Sequence, residues 1–192
     1  MVVASCTDNR ATGPEGERVS KVCTAGVIGE RIDPIREPTR GCGVSNPVRV
    51  HEVLGIRLSR PAIMDCAAAR SLKSWVRSGV KPAFAAAGAE VTRLVVYDAY
   101  NCRNRNNSPT GKLSLHARGK AIDVGEFVLA DGRKVTVLNG WRDRQWGPVL
   151  RRLHRAACGP FGTVLGPEYN RAHANHLHFD TDRYGRGGRF CR

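Results

Sequence analysis

The sequence predicts an α+β domain: a small antiparallel sheet flanked by helices and stapled by disulfides. Three observations predict it. Segments of two-residue period and segments of helical period are mixed without the regular βαβ alternation of a parallel sheet. The 192 residues, 41% of them hydrophobic, suffice for one domain with a proper core. Seven cysteines, at 6, 23, 42, 66, 102, 158 and 191, include no C-x-x-C pair. That spacing disfavours a zinc ribbon or thioredoxin-like motif and suits long-range bridges in an oxidising compartment such as a periplasm.

The elements follow in order. Residues 1–20 form a tail, whose Thr7–Ser20 part is polar, contains Gly and Pro, and lacks periodicity; it reads as a tether to a domain over 21–192. Val3-Ala4-Ser5-Cys6 resembles a lipobox, so a lipidated Cys6 would anchor the chain to a membrane. Six cysteines then remain for three bridges, with 23–42, 66–158 and 102–191 as the expected pairing. Between Cys23 and Cys42, Pro and Gly imply an irregular, bridge-stapled segment. "NPVRVHEVLG" alternates Val48 and Val50 against Arg49 and His51, a short strand. "MDCAAARSLKSWVRSG" is a helix capped by Asp65, with Leu72, Trp75 and Val76 on one face and Gly79 at its end. "VKPAFAAAG" is a second short helix, and the β-branched "VTRLVVYDAY" a buried strand. After the polar loop "NCRNRNNSPTGKLS", "KAIDVGEFVLADGRKVTVLNG" reads as a hairpin turning at Asp131-Gly132. Trp146, Val149, Leu150, Leu153 and Ala157 then line one face of an amphipathic helix that Gly159-Pro160 stops.

Charge narrows the partners. Lys and Arg outnumber Asp and Glu by 31 to 17, for a net charge of +14. Such a surface favours polyanions, but the excess is spread along the chain, with no compact basic stripe interleaved with aromatics. Nucleic acid is therefore not expected as a partner. No apolar run approaches membrane-spanning length.

The chemistry concentrates in "HANHLHFD", residues 173–180. In a strand, His176 and His178 share one face while Leu177 and Phe179 feed a core from the other. A zinc enzyme needs about three protein ligands and an open position for water. "SLHARGKAID" supplies His116 and Asp123, with Gly119 permitting a turn between them. His116, Asp123 and one histidine of the His176/His178 pair would form a tripod on adjacent strands, the other histidine standing beside the water. His51 and His154 read as structural or surface residues.

"HARGKAID" and "HLH" are similar to the His-x(6)-Asp and His-x-His motifs of the LAS zinc peptidases. That superfamily takes in lysostaphin-type enzymes, D-alanyl-D-alanine metallopeptidases and the hedgehog amino-terminal domain. The spacing of His173, His176 and His178 also resembles that of penicillin-insensitive murein endopeptidase. The segments "CGVSNPVRV", "MDCAAARSLKSWV", "YNCRNRN", "LHARGKAIDVGEF" and "CGPFGTVLGPEYNRAHANHLHFD" resemble the bacterial extensin-like C-terminal domain family, from about Cys23 to Arg192. The resemblance implies that His116, Asp123 and His178 bind Zn2+ and that His176 is the base or transition-state stabiliser. It also implies a carbonyl-polarising role for Arg103, with Arg103 or His173 as the catalytic group that holds developing charge, and supporting roles for Ser114 and His173. The activity it implies is a periplasmic zinc peptidase acting as a monomer on peptidoglycan stem peptides, foremost a DD-endopeptidase. The alternatives are a DD- or LD-carboxypeptidase and a catalytically inactive, zinc-containing wall-binding module.

Overall fold

The computed structural model describes residues 19–183 and 187–192, so Cys6 and the rest of the tail through Arg18 lie outside the described residues. The domain begins with β1 (Ser20–Lys21) and β2 (Val27–Arg31), then a separate hairpin of β3 (Ile35–Arg36) and β4 (Gly43–Val44). Next come β5 (Pro47–Val53) and β6 (Ile56–Asp65), α1 (Cys66–Trp75), α2 (Lys81–Ala85) and β7 (Val91–Asp98). β8 (Ala121–Leu129), β9 (Lys134–Thr136), α3 (Val137–Gly140) and α4 (Trp146–Ala157) follow. β10 (Thr163–Leu165), β11 (Leu177–Asp180) and β12 (Phe190–Cys191) close the chain.

The sheet corrects the expectation of a small antiparallel one. It has ten strands in the order β1-β2-β5-β6-β7-β8-β11-β10-β12, with β9 paired to β8. It is mixed, because β6 with β7 and β10 with β12 run parallel. Two of the missed strands have a pattern that glycine, proline or charge interrupts, while others, such as β10 and β12, are only two or three residues long. β6 carries Arg57, Ser59, Arg60 and Pro61, and β2 carries Gly29, in the segment expected to be irregular.

One face of the sheet carries the core. Val48, Val50, Ile122, Val124, Leu177 and Phe179 project there against Leu72 and Trp75 of α1 and Leu150 and Leu153 of α4. Trp75 is fully buried, 4.6 Å from Phe179 ring to ring, and its indole N–H donates to the Leu153 carbonyl at 2.9 Å. Asp65 caps α1 by accepting from the Ala68 N–H at 2.7 Å. Gly79 does not end the helix. A π-helical turn over Val76–Val80 carries it into α2, and an added Cβ at Gly79 would lie 3.0 Å from that of Ala156. The glycine is there for close approach to α4, not for termination.

Six cysteines form three disulfides and leave Cys6 out, but the pairing differs from the expected one. The bridges are Cys23–Cys66, Cys42–Cys102 and Cys158–Cys191. The number of cysteines fixes how many bridges can form, but which pair forms depends on non-local strand order, which the spacing does not encode.

Candidate metal centre

Three short-range devices bring the site together on the sheet face opposite the core. Asp123 of β8 lies directly across from His178 of β11 in an antiparallel pair. His116 arrives on a 3-10 turn, Leu115–Arg118, started by Ser114, whose hydroxyl accepts from the His116 N–H at 3.4 Å. Gly119 ends the turn at φ 62°, and an added Cβ would come within 2.8 Å of Val44. Gly119→Ala should therefore lower stability by about 1–2 kcal/mol, from left-handed backbone and overpacking together, and loosen His116. Thermal unfolding of that variant, checked beside its metal content, would show both effects.

The donor atoms converge. His116 Nε2 is 3.2 Å from both His178 Nδ1 and Asp123 Oδ1, and His178 Nδ1 is 2.8 Å from the same Oδ1. Tetrahedral ligands about 2.0–2.1 Å from zinc stand about 3.3 Å apart, so the triad has the spacing of a tripod. The far nitrogens decide the tautomers. His116 Nδ1–H donates to the Ala99 carbonyl at 2.5 Å, and His178 Nε2–H donates to Asp180 Oδ2 at 3.1 Å. Each ring thus turns its other nitrogen toward Asp123, and when unprotonated these nitrogens aim their lone pairs at a carboxylate oxygen. A cation among the three relieves that arrangement; a proton is the alternative. This group, His116, Asp123 and His178, could hold a metal ion.

The electrostatics agree with a site that trades a metal for a proton. Burial opposes charge on Asp123, but the hydrogen bonds and charges of His116 and His178 overcome it and hold its carboxyl well below the usual carboxylate range. Burial likewise opposes charge on His178, yet Asp123 and Asp180 together push it up to about 9. Metal must displace that proton. At pH 7 metal binding should therefore release about one proton from His178, and the release should vanish as pH rises past about 9. Calorimetric metal titration in buffers of different ionisation enthalpy measures it.

The remaining candidates surround the triad. His176 Nε2 is 3.6 Å from Asp123 Oδ2, and burial lowers its pKa despite that carboxylate. His173 stands ring to ring 5.2 Å from His176 and 5.8 Å from His178, and its Nδ1 meets Asn170 Oδ1 at 2.7 Å. Burial, with the charges of His178 and His176, takes it down to about 4. Arg103 is fastened to Asp98 Oδ2 by Nε at 2.9 Å and a terminal nitrogen at 2.8 Å, and reaches to 3.6 Å from Asp123 Oδ2. His51 pairs with Glu30 at 2.7 Å and His154 with the Arg192 carbonyl at 3.0 Å, both away from this cluster.

Three contributors were not anticipated: Asp180, Asp98 and the Ala99 carbonyl. Asp180 had a signal, since it follows His178 by two residues and so shares its face. Replacing Asp180 by alanine strips His178 of its outer hydrogen bond and should weaken metal binding about 10–100-fold, readable by competition with a chelator.

Register shifts shape the cleft above the triad. β7 and β8 slip register between Val95 and Val96 and again between Val96 and Asp98. Such bulges re-aim side chains. Tyr97 lies over Gly125, where an added Cβ would fall 2.1 Å from the ring, and Asp98 turns toward His116 and Arg103. The cleft, of about 630 Å³, is lined by the triad, His173, His176 and Arg103 among others.

Compared with known proteins, the chain matches the family described as extensin-like protein C-terminus over residues 19–192. Neither a curated protein nor a solved structure matches it.

Proposed function

The chain belongs to the extensin-like protein C-terminus family, and from its His–Asp–His cluster we propose a zinc-dependent peptidase of peptidoglycan, acting as a DD-endopeptidase. The observation that carries the reading is the convergence of His116 Nε2, Asp123 Oδ1 and His178 Nδ1, each histidine fastened from behind to an acceptor. A buried triad of two imidazoles and one carboxylate opening into a cleft is the donor set of a catalytic rather than a structural zinc site. The likeness of the His-x(6)-Asp and His-x-His spacings to those of the LAS peptidases supports the same reaction class. Three disulfides suit a periplasmic setting, and a net charge of +14 suits a wall polymer with free carboxylates. A lipidated Cys6 would tether the domain near that wall.

A zinc ion held by the triad supplies Lewis acidity, polarising an amide carbonyl and acidifying water. The chain's own groups do the rest. His176 is held next to Asp123 but outside the triad, and its lowered pKa leaves it unprotonated at neutral pH, able to take a proton and pass it to the leaving amine. Arg103, locked by Asp98, presents fixed positive charge where negative charge develops. His173, uncharged at neutral pH, walls the cleft beside His176 without adding a competing cation.

The test is mass spectrometry of muropeptides from purified sacculi incubated with the protein, with and without a chelator. The reading predicts conversion of cross-linked dimers to monomers, abolished by the chelator. Loss of a terminal D-alanine alone would make it a carboxypeptidase, and bound zinc without any product a wall-binding module.

A further inference from the structure

The cleft is electrically lopsided. In the sheet order β6-β7-β8-β11-β10-β12, the triad, with Asp123 on β8 and His178 on β11, sits in the middle of the cleft floor. Toward β10 and β12 the described lining is Thr163, Leu165, Tyr169 and Phe190, with no Lys or Arg among the described residues lining it, while Arg192 stands over the Phe190 ring at 5.8 Å. Toward β6 and β7 it includes three arginines, Arg60, Arg103 and Arg105. Their partners differ. Arg103 is paired with Asp98 and faces the metal centre. Among the described residues Arg60 donates only to the backbone carbonyls of Val96 and Tyr97, so its charge meets no carboxylate there. Arg105 makes no side-chain hydrogen bond or ion pair among the described residues. The carboxylates nearest the triad are engaged, Asp123 by His116 and His178 and Asp180 by His178. The uncompensated charge on this side is therefore positive.

The loop that carries Arg105 is pinned. Asn104 bridges to Leu113, Arg105 N–H donates to the Lys112 carbonyl at 3.0 Å, and Asn104 Nδ2 donates to Ser108 O at 3.1 Å. Asn106 and Asn107 both take left-handed backbone, at φ 55° and 56°, and line the cleft beside Arg105. Tyr97, 43% exposed, lies flat over Gly125 on the same side. A cation with no side-chain partner among the described residues, two side-chain amides and an exposed aromatic ring form a wall suited to a peptide bearing free carboxylates.

We infer that the β6–β7 half of the cleft is an acidic-peptide subsite in which Arg105 holds a free carboxylate of the bound peptide, the rest of the peptide running across the triad toward Leu165. The assignment rests on the peptidoglycan reading and gives that substrate a direction across the metal centre. Tyr97 supplies the platform, and Arg60 the background field.

The probe is a disaccharide-tripeptide muropeptide ending in meso-diaminopimelate, which has no D-alanyl bond to cut, beside the same fragment with its carboxyls amidated. Binding of each to the zinc-loaded protein is measured by calorimetry for the wild type, Arg105→Ala and Arg105→Lys. Amidation should weaken binding to the wild type about tenfold, the scale of a charge-assisted hydrogen bond. In Arg105→Ala most of that difference should disappear, and Arg105→Lys should recover part of it. Since the Arg105 side chain bonds nothing described, its variants should melt with the wild type. Equal affinity of the wild type for both forms, or an undiminished amidation effect in Arg105→Ala, would overturn the subsite while leaving the peptidoglycan reading intact. If the wild type binds neither form, the peptidoglycan reading fails, and the subsite with it.

Discussion

Replacing His178 by alanine is expected to remove metal and activity together. His178 Nδ1 is one of three converging donors, and its loss leaves His116 and Asp123, two ligands where a zinc site needs three or four. The substitution also leaves Asp123 and Asp180 buried without the imidazole they share. His176→Ala should behave differently. It spares all three donors, so metal should stay near one per chain, while turnover falls about 10²–10⁴-fold, the range for a positioned acid–base group. Metal content measured beside muropeptide release separates the two residues. Zinc lost from His176→Ala and kept by His178→Ala would reverse the assignment.

Removing the Cys42–Cys102 bridge should cost about 4 kcal/mol, the chain-entropy value for a loop of this length. Its partners are 60 residues apart, the longest separation of the three bridges. The effect should reach the site. Cys102 precedes Arg103, and the bridge ties that turn to the β3–β4 hairpin, whose Val44 packs against the Gly119 turn behind His116. A Cys42→Ser, Cys102→Ser double variant should lose about 8–16 °C in melting temperature and bind metal more weakly. Thermal unfolding and chelator competition measure the two losses. Unchanged metal affinity in a destabilised variant would show that the bridge supports the fold without steering Arg103 or His116.

How far the sequence could be read depended on where each pattern was local. The α1 helix, its Asp65 cap and α4 were legible, because caps and amphipathic faces are written within one turn or two. So was the hairpin at Asp131-Gly132, where Asp131 Oδ1 accepts from the Arg133 N–H. The triad was legible because His116 and Asp123 lie seven residues apart around one glycine turn and His178 sits in a strand of period two.

What escaped was non-local or interrupted. β6 hides behind Arg57, Arg60 and Pro61, and β2 behind Gly29, so the sheet looked small. Gly79 looked like a helix stop, although its role, contact with Ala156, is visible only once α4 is in place. Asp98 gives no sign in a β-branched run of its part in the site. It reaches His116 and Arg103 through a register shift that no periodicity encodes.

The most direct test of the metal centre is anomalous scattering at the zinc edge from crystals grown with one equivalent of zinc. The account predicts a single peak about 2.0–2.2 Å from His116 Nε2, His178 Nδ1 and Asp123 Oδ1, with His178 Nε2 still on Asp180. A peak bound through His176, or no peak among these three atoms, would contradict it.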